Sequence, residues 1–196
     1  DRYSAQPGKS EHQSGLAFDV GSIDNNYGES NAGRWLAAHC ADYGFILRYP
    51  TAKTETTGII YEPWHYRYVG QPHAAYMQEN NVCLEEYLTL LKNYSADVPL
   101  SITNWDGEIY QVYYVAADTD ADSTYVMVPP DKKYTISGNN SDGFIVTVDT
   151  GEIQSGEAAA SEASGAADNH AADSAADSAA DVSGETAPDA EADAAQ

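Results

Sequence analysis

The chain has 196 residues, enough for one domain, or for one domain and a small second one. Nine Lys and Arg stand against 31 Asp and Glu, a formal net charge of −22, which argues against nucleic acid as the main partner, because phosphate binding needs clustered bases. No run approaches the ~18 apolar residues of a membrane-spanning helix, and no basic-then-apolar signal segment opens the chain at Asp1, so an upstream piece is expected to have been removed.

The first feature along the chain is Ser10–Asp19, where Gly15 permits a tight turn between His12 and the alternating run Leu16–Asp19. Trp35–Tyr43 has apolar residues at helical spacing and ends at Gly44, a C-cap residue. Phe45–Tyr49 reads as a strand stopped by Pro50, Lys53–Thr57 as a polar turn, and Gly58–Tyr61 as another short strand. Trp64–Val69 alternates as a strand should, and helices follow over about 71–80 and 84–94. The second of these carries Leu84, Tyr87, Leu88 and Leu91 on one face.

Residues 101–149 change character. Asp106-Gly107 between β-rich runs predicts a hairpin, Tyr110–Val115 and Tyr125–Val128 read as strands, and Asn139-Asn140 and Asp142-Gly143 mark turns before Phe144–Val148. This stretch has no His or Cys, which disfavours metal chemistry there. From Glu152 to Asp193 there are 11 acids and no Lys or Arg, so half of the net charge sits in the last quarter. That quarter is Ala-rich with no aromatic residue, and it cannot offset its ordering entropy by burying an apolar face.

The chemistry concentrates early. His12 and Asp19 can meet across the Gly15 turn, and Glu62 stands three residues before His65. Pro63 between them disfavours a helix, so this is not the helical HExxH arrangement. Two histidines and a carboxylate are a sufficient protein set for catalytic zinc, with one position left for water. His12, Asp19 and His65 as ligands and Glu62 as general base use each residue once. Spacing alone also fits a plainer role, with Asp19 capping a turn and the histidines as ordinary polar sites. His39 and Cys40 read as structural, His73 as exposed, and Arg48 and Arg67 as partners in internal ion pairs rather than as receptors for a substrate carboxylate.

In these residues the chain resembles a known family. SxHxxGxAxD is matched by Ser10, His12, Gly15, Ala17 and Asp19, and ExxH by Glu62 and His65 within EPWHYRYVG. With the intervening WLAAHCADYGFILRYP, the match over about residues 3–95 is similar to the VanY-type D-alanyl-D-alanine carboxypeptidases. These share a zinc peptidase superfamily with VanX-type dipeptidases, lysostaphin-type endopeptidases and hedgehog domains. The resemblance implies Zn²⁺ on His12, Asp19 and His65, and Glu62 taking a proton from zinc-bound water and passing it to the leaving amine. It also implies Ser10 near the substrate. Family members carry an upstream SxxRS-type segment whose Arg assists the reaction. It is not matched here, so the resemblance implies a chain that binds zinc but turns over poorly.

The expectation is therefore an α+β fold. Its small antiparallel sheet with flanking helices carries the zinc site over 1–97, followed by a small β unit over 98–150 and a disordered acidic tail over 151–196. The implied activity is removal of the terminal D-Ala from peptidoglycan stem peptides, outside the cytoplasm at the cell envelope or after secretion, with the export signal outside this chain. The rivals are a D-Ala-D-Ala dipeptidase, an L,D-carboxypeptidase, and a non-catalytic zinc-containing wall-binding module. Glu62 argues against the last, since a purely structural site needs no base.

Overall fold

Short strands need a covered face, and here two small sheets find theirs on the same pair of helices. The structure is a computed structural model that describes residues 8–154. A 3₁₀ turn over Glu11–Ser14 leads into β1, Ala17–Asp19. Two helices follow, α1 over Asn26–Glu29 and α2 over Asn31–His39, the second N-capped by the Ser30 side chain on Gly33 N–H. A 3₁₀ turn over Cys40–Tyr43 then ends at Gly44, whose φ of 78° suits glycine and sends the chain into β2, Phe45–Leu47. Helix α3, Thr54–Thr57, precedes β3, His65–Tyr68, and the longer helices α4, Gln71–Glu79, and α5, Leu84–Leu91, come next. The first sheet is antiparallel in the order β1-β3-β2.

The second sheet comprises β4, Leu100–Thr103, β5, Glu108–Ala116, β6, Lys133–Gly138, and β7, Gly143–Ile153, in the order β4-β5-β7-β6, all antiparallel. The turn between β4 and β5 holds Asp106-Gly107, as expected. Asn104 organises it by accepting the N–H groups of Asp106 and Glu108 and donating to Gln71 at the start of α4. Residues on alternate positions of β5 split between two faces. Val112 and Ile145 join Ile46, Met77, Tyr87 and Leu91 in a single core, so α4 and α5 are covered by both sheets. Tyr113, Val146 and Val148 form a smaller cluster on the opposite face. Val112 and Val146 are fully buried, and each such side chain stabilises the fold by roughly 1.5–3 kcal/mol through area removed from water.

The mixed helix and sheet architecture agrees with the α+β expectation, and several elements need correction. Lys53–Thr57 is not a plain turn but ends in helix α3. Gly58–Tyr61 forms no strand: Gly58 is the left-handed cap of α3, and β3 already pairs with β1 on one side and β2 on the other. Tyr125–Val128 also makes no ladder. Val126 and Val128 lay their side chains on the Tyr113 cluster, while β6 takes the edge beside β7. Strand β7 runs past the expected boundary to Ile153, and the expected acidic tail from residue 155 onward lies outside the described residues. Among the described residues no helix is long and apolar enough to cross a membrane.

Cys40 and Cys83 are free and buried, and burial pushes the Cys40 thiol up to about 11. Cys83 is the N-cap of α5, where Glu86 reaches back to its backbone N–H at 2.9 Å.

His73, expected on the surface, instead pins β7 to both helices. Its Nδ1 lies 2.8 Å from Tyr87 Oη and its Nε2 2.9 Å from Thr147 Oγ1. Both partners are neutral hydroxyls, and burial lowers its pKa from 6.5 to about 4. A depressed folded-state pKa means that the unfolded chain takes up the proton first. This contribution to stability is therefore complete above about pH 6.5 and is lost as the pH falls through about 4, on the order of 3 kcal/mol in all. Urea unfolding of His73→Gln and of the unaltered chain across this window should show the variant losing less stability on acidification. Parallel pH profiles would show that His73 does not titrate on unfolding.

Candidate metal centre

The register of β1 on β3 builds the site. Asp19 lies opposite His65, Phe18 opposite Tyr66 and Ala17 opposite Arg67. Strand side chains alternate, so Asp19, His65 and Arg67 share one face, while the Phe18 and Tyr66 rings stack on the other at 6.0 Å. His12 arrives from the 3₁₀ turn, which Gly15 closes at φ 71° with its N–H on His12 O. The His12 and His65 rings meet edge to face at 4.7 Å. Asp19 Oδ1 lies 3.4 Å from His12 Nε2 and 3.1 Å from His65 Nδ1. One donor atom from each of the three residues falls within 4.8 Å of the others.

Glu62 comes in on a β-turn rather than a helix. His65 N–H donates to Glu62 O at 3.1 Å with Pro63 at the second turn position, which suits its fixed φ. The turn brings Glu62 Oε2 to 3.8 Å from His65 Nδ1. Burial raises the Glu62 pKa above its ordinary value and the Asp19 carboxylate adds to this, against the opposing pull of the two imidazoles. Ser10 caps no backbone N–H with its side chain and lines the same cleft of about 1040 Å³. The structure thus brings together all five residues singled out from the sequence.

Glu11 was missed. Its carboxylate accepts from His65 Nε2 at 2.9 Å, Arg67 Nη1 at 2.5 Å and Tyr49 Oη at 3.2 Å, and Arg48 Nε stands 3.3 Å away. Burial alone would raise the Glu11 pKa, but the His65 hydrogen bond and the two guanidinium charges outweigh it and hold the pKa at about 2. An ionised carboxylate can only accept, so the proton of neutral His65 belongs on Nε2. The Nδ1 lone pair then faces Asp19 Oδ1, two acceptors in contact, an arrangement that a shared cation resolves. Two imidazoles and a carboxylate are a zinc-type donor set, so these residues fit the metal. Arg48 also pairs with Glu85 through two bonds of 2.6 and 3.1 Å, and both arginines are internal ion-pair members as expected. The only signal for Glu11 was its place between Ser10 and His12, which any surface acid could share.

In sequence and fold the chain is similar to known proteins. Residues 1–71 match the VanY family model, described as D-alanyl-D-alanine carboxypeptidase. A D-alanyl-D-alanine carboxypeptidase of Enterococcus faecium is 47% identical over 146 residues, 74% of this chain and 46% of the relative. The bifunctional D-Ala-D-Ala dipeptidase and carboxypeptidase VanXYC of Enterococcus gallinarum is 47% identical over 94 residues, 44% of this chain and 50% of the relative. Among solved structures, the vancomycin resistance D,D-dipeptidase VanXYg in complex with a D-Ala-D-Ala phosphinate analog superposes with a TM-score of 0.67 at 41% identity, covering 74% of this chain and 60% of that one. The chain spans half or less of the curated relatives it matches. The resemblance to VanY-type carboxypeptidases read from the motifs is borne out, and so is the fold.

The Glu11 arrangement has a measurable consequence in the metal-free protein. Removing one partner of a buried ion pair leaves an uncompensated charge, at a cost of about 3–5 kcal/mol. Glu11→Gln should lower the urea unfolding free energy by up to about that amount, chiefly through Arg67, since Arg48 keeps its pair with Glu85. A change under about 0.5 kcal/mol would mean that water already compensates Arg67.

Proposed function

We propose that the chain, on its likeness to the VanY-type D-alanyl-D-alanine carboxypeptidases, is a zinc peptidase that removes the terminal D-Ala from peptidoglycan stem peptides. The observation that carries this reading is the convergence of His12, Asp19 and His65 donor atoms within 4.8 Å, with Glu62 beside them in an open cleft. His12, Asp19 and His65 hold the zinc ion, and Glu11 fixes the ring of His65. When bound, zinc supplies Lewis acidity toward the scissile carbonyl and lowers the pKa of water at its open position. Glu62 takes the proton of the attacking water and returns it to the leaving amine. Ser10 contacts the substrate from the cleft wall. The reading places the reaction at the cell envelope, where stem peptides are found.

A second reading is release of D-alanine from the free dipeptide D-Ala-D-Ala. It is favoured by the likeness to VanXYC, a bifunctional dipeptidase and carboxypeptidase, and to the structural neighbour VanXYg, a D,D-dipeptidase. Mass spectrometry of products from a pentapeptide ending in D-Ala-D-Ala, run beside the free dipeptide, separates the two readings by which substrate loses one alanine.

The roles of ligand and base are separable. Glu62→Gln should lower kcat by about 10²–10⁴-fold with zinc content near one per chain. His12→Ala, Asp19→Ala and His65→Ala should each lose the metal. Metal analysis that finds zinc lost from Glu62→Gln and kept by Asp19→Ala would reverse the assignment.

A further inference from the structure

The cleft at the candidate metal centre is not lined by the first sheet alone. Asn139 and Asn140, at the tip of the hairpin joining β6 to β7, line the same cleft as His12, Asp19 and His65. They also border a smaller groove of about 290 Å³, and Arg67, Leu84 and Leu88 border both spaces. The tip therefore stands over the apolar start of α5, between the two.

This tip is braced. Asn139 Oδ1 accepts the backbone N–H groups of Ser141, Asp142 and Gly143, each at 3.0 Å, and its Nδ2 donates to Asp142 Oδ1 at 2.8 Å. Lys92 pairs with Asp142, and Tyr114 Oη donates to Asp142 O at 2.9 Å. Asn140 is the exception. It is exposed, its φ is +61°, and among the described residues its carboxamide makes no hydrogen bond. A side chain held on a rigid tip, with one acceptor and two donors unused, matches what an extended peptide backbone presents.

We propose that this hairpin tip reads the length of the substrate, with the Asn140 carboxamide hydrogen-bonding the peptide backbone on the amino side of the scissile bond. The inference rests on the peptidase reading above. A carboxypeptidase has one residue beyond the bond that it cuts, so a longer substrate can extend only on the amino side. A cleft of about 1040 Å³ is at the upper end of the ~300–1,000 Å³ common for ligand sites, far more than two alanines fill. Leu84 and Leu88 give the intervening floor an apolar surface on which aliphatic parts of a stem peptide can lie.

The test uses the whole chain loaded with zinc. Asn140→Gly keeps the left-handed backbone, which glycine adopts freely, and removes only the carboxamide. The kcat/KM for a pentapeptide ending in D-Ala-D-Ala should fall about tenfold relative to that for N-acetyl-D-Ala-D-Ala, mainly through KM, as loss of one hydrogen bond predicts. Zinc content and melting temperature, measured in both proteins, separate this from a folding defect. An unchanged ratio overturns the proposal. If the unaltered chain cleaves neither substrate, the peptidase reading fails. Calorimetric binding of the pentapeptide to the two proteins then decides the hairpin separately: weaker binding by Asn140→Gly upholds it, and equal or absent binding overturns it.

Discussion

The Glu11 carboxylate gathers side chains from two segments at one point: His65 and Arg67 from β3, and Arg48 and Tyr49 from the stretch after β2. Arg48 passes the tie on to Glu85 at the start of α5. Two positive charges under the cleft are thereby neutralised internally, and the imidazole of His65 is held in one orientation. The three-residue strands could not do this by themselves, because ladders so short leave their ends free to fray. The hydrogen-bonded charge cluster and the hydrophobic face beneath it, where Phe18 meets Phe45 and Tyr66, together make the small sheet rigid enough to hold three donor atoms in place.

What could be read from the sequence follows from the physics that each element obeys. Helix α5 shows in the apolar spacing because it buries Tyr87 and Leu91 on one stripe, whereas α2 buries only Gly33, and Gly44 and Gly107 are legible because their left-handed backbones favour glycine. His12, Asp19, Glu62 and His65 are legible as a motif, because each pair sits at a short spacing that local structure brings together. Strand β6 was not legible: every one of its residues is exposed, so it carries no periodic signal and is fixed only by its ladder to β7. Tyr125–Val128 gave the opposite error. An alternating apolar pattern reports that side chains are covered, not that a neighbouring backbone is there to pair with. Glu11 and His73 depend on partners 54 and 74 positions away, which local spacing cannot encode.

The two sheets depend on one another through α4 and α5. Ile46 from the first sheet and Val112 and Ile145 from the second belong to one continuous core. The 146-residue match to the E. faecium protein bears on this, since a stretch of that length in a 196-residue chain must include part of the second sheet. The second sheet therefore supports the helix from which the cleft floor is built, besides supplying the hairpin at its rim.

The two cysteines have a consequence for the conditions that the fold tolerates. Cys40 and Cys83 are buried and unpaired, and burial raises both thiols above their ordinary pKa. At neutral pH they remain thiols, and a thiol without its thiolate is a poor nucleophile toward disulfides or peroxides. Among the described residues there is thus no disulfide, and neither thiol is poised to form one. Packing, hydrogen bonds and ion pairs hold the described fold together, and none of them needs an oxidant to form.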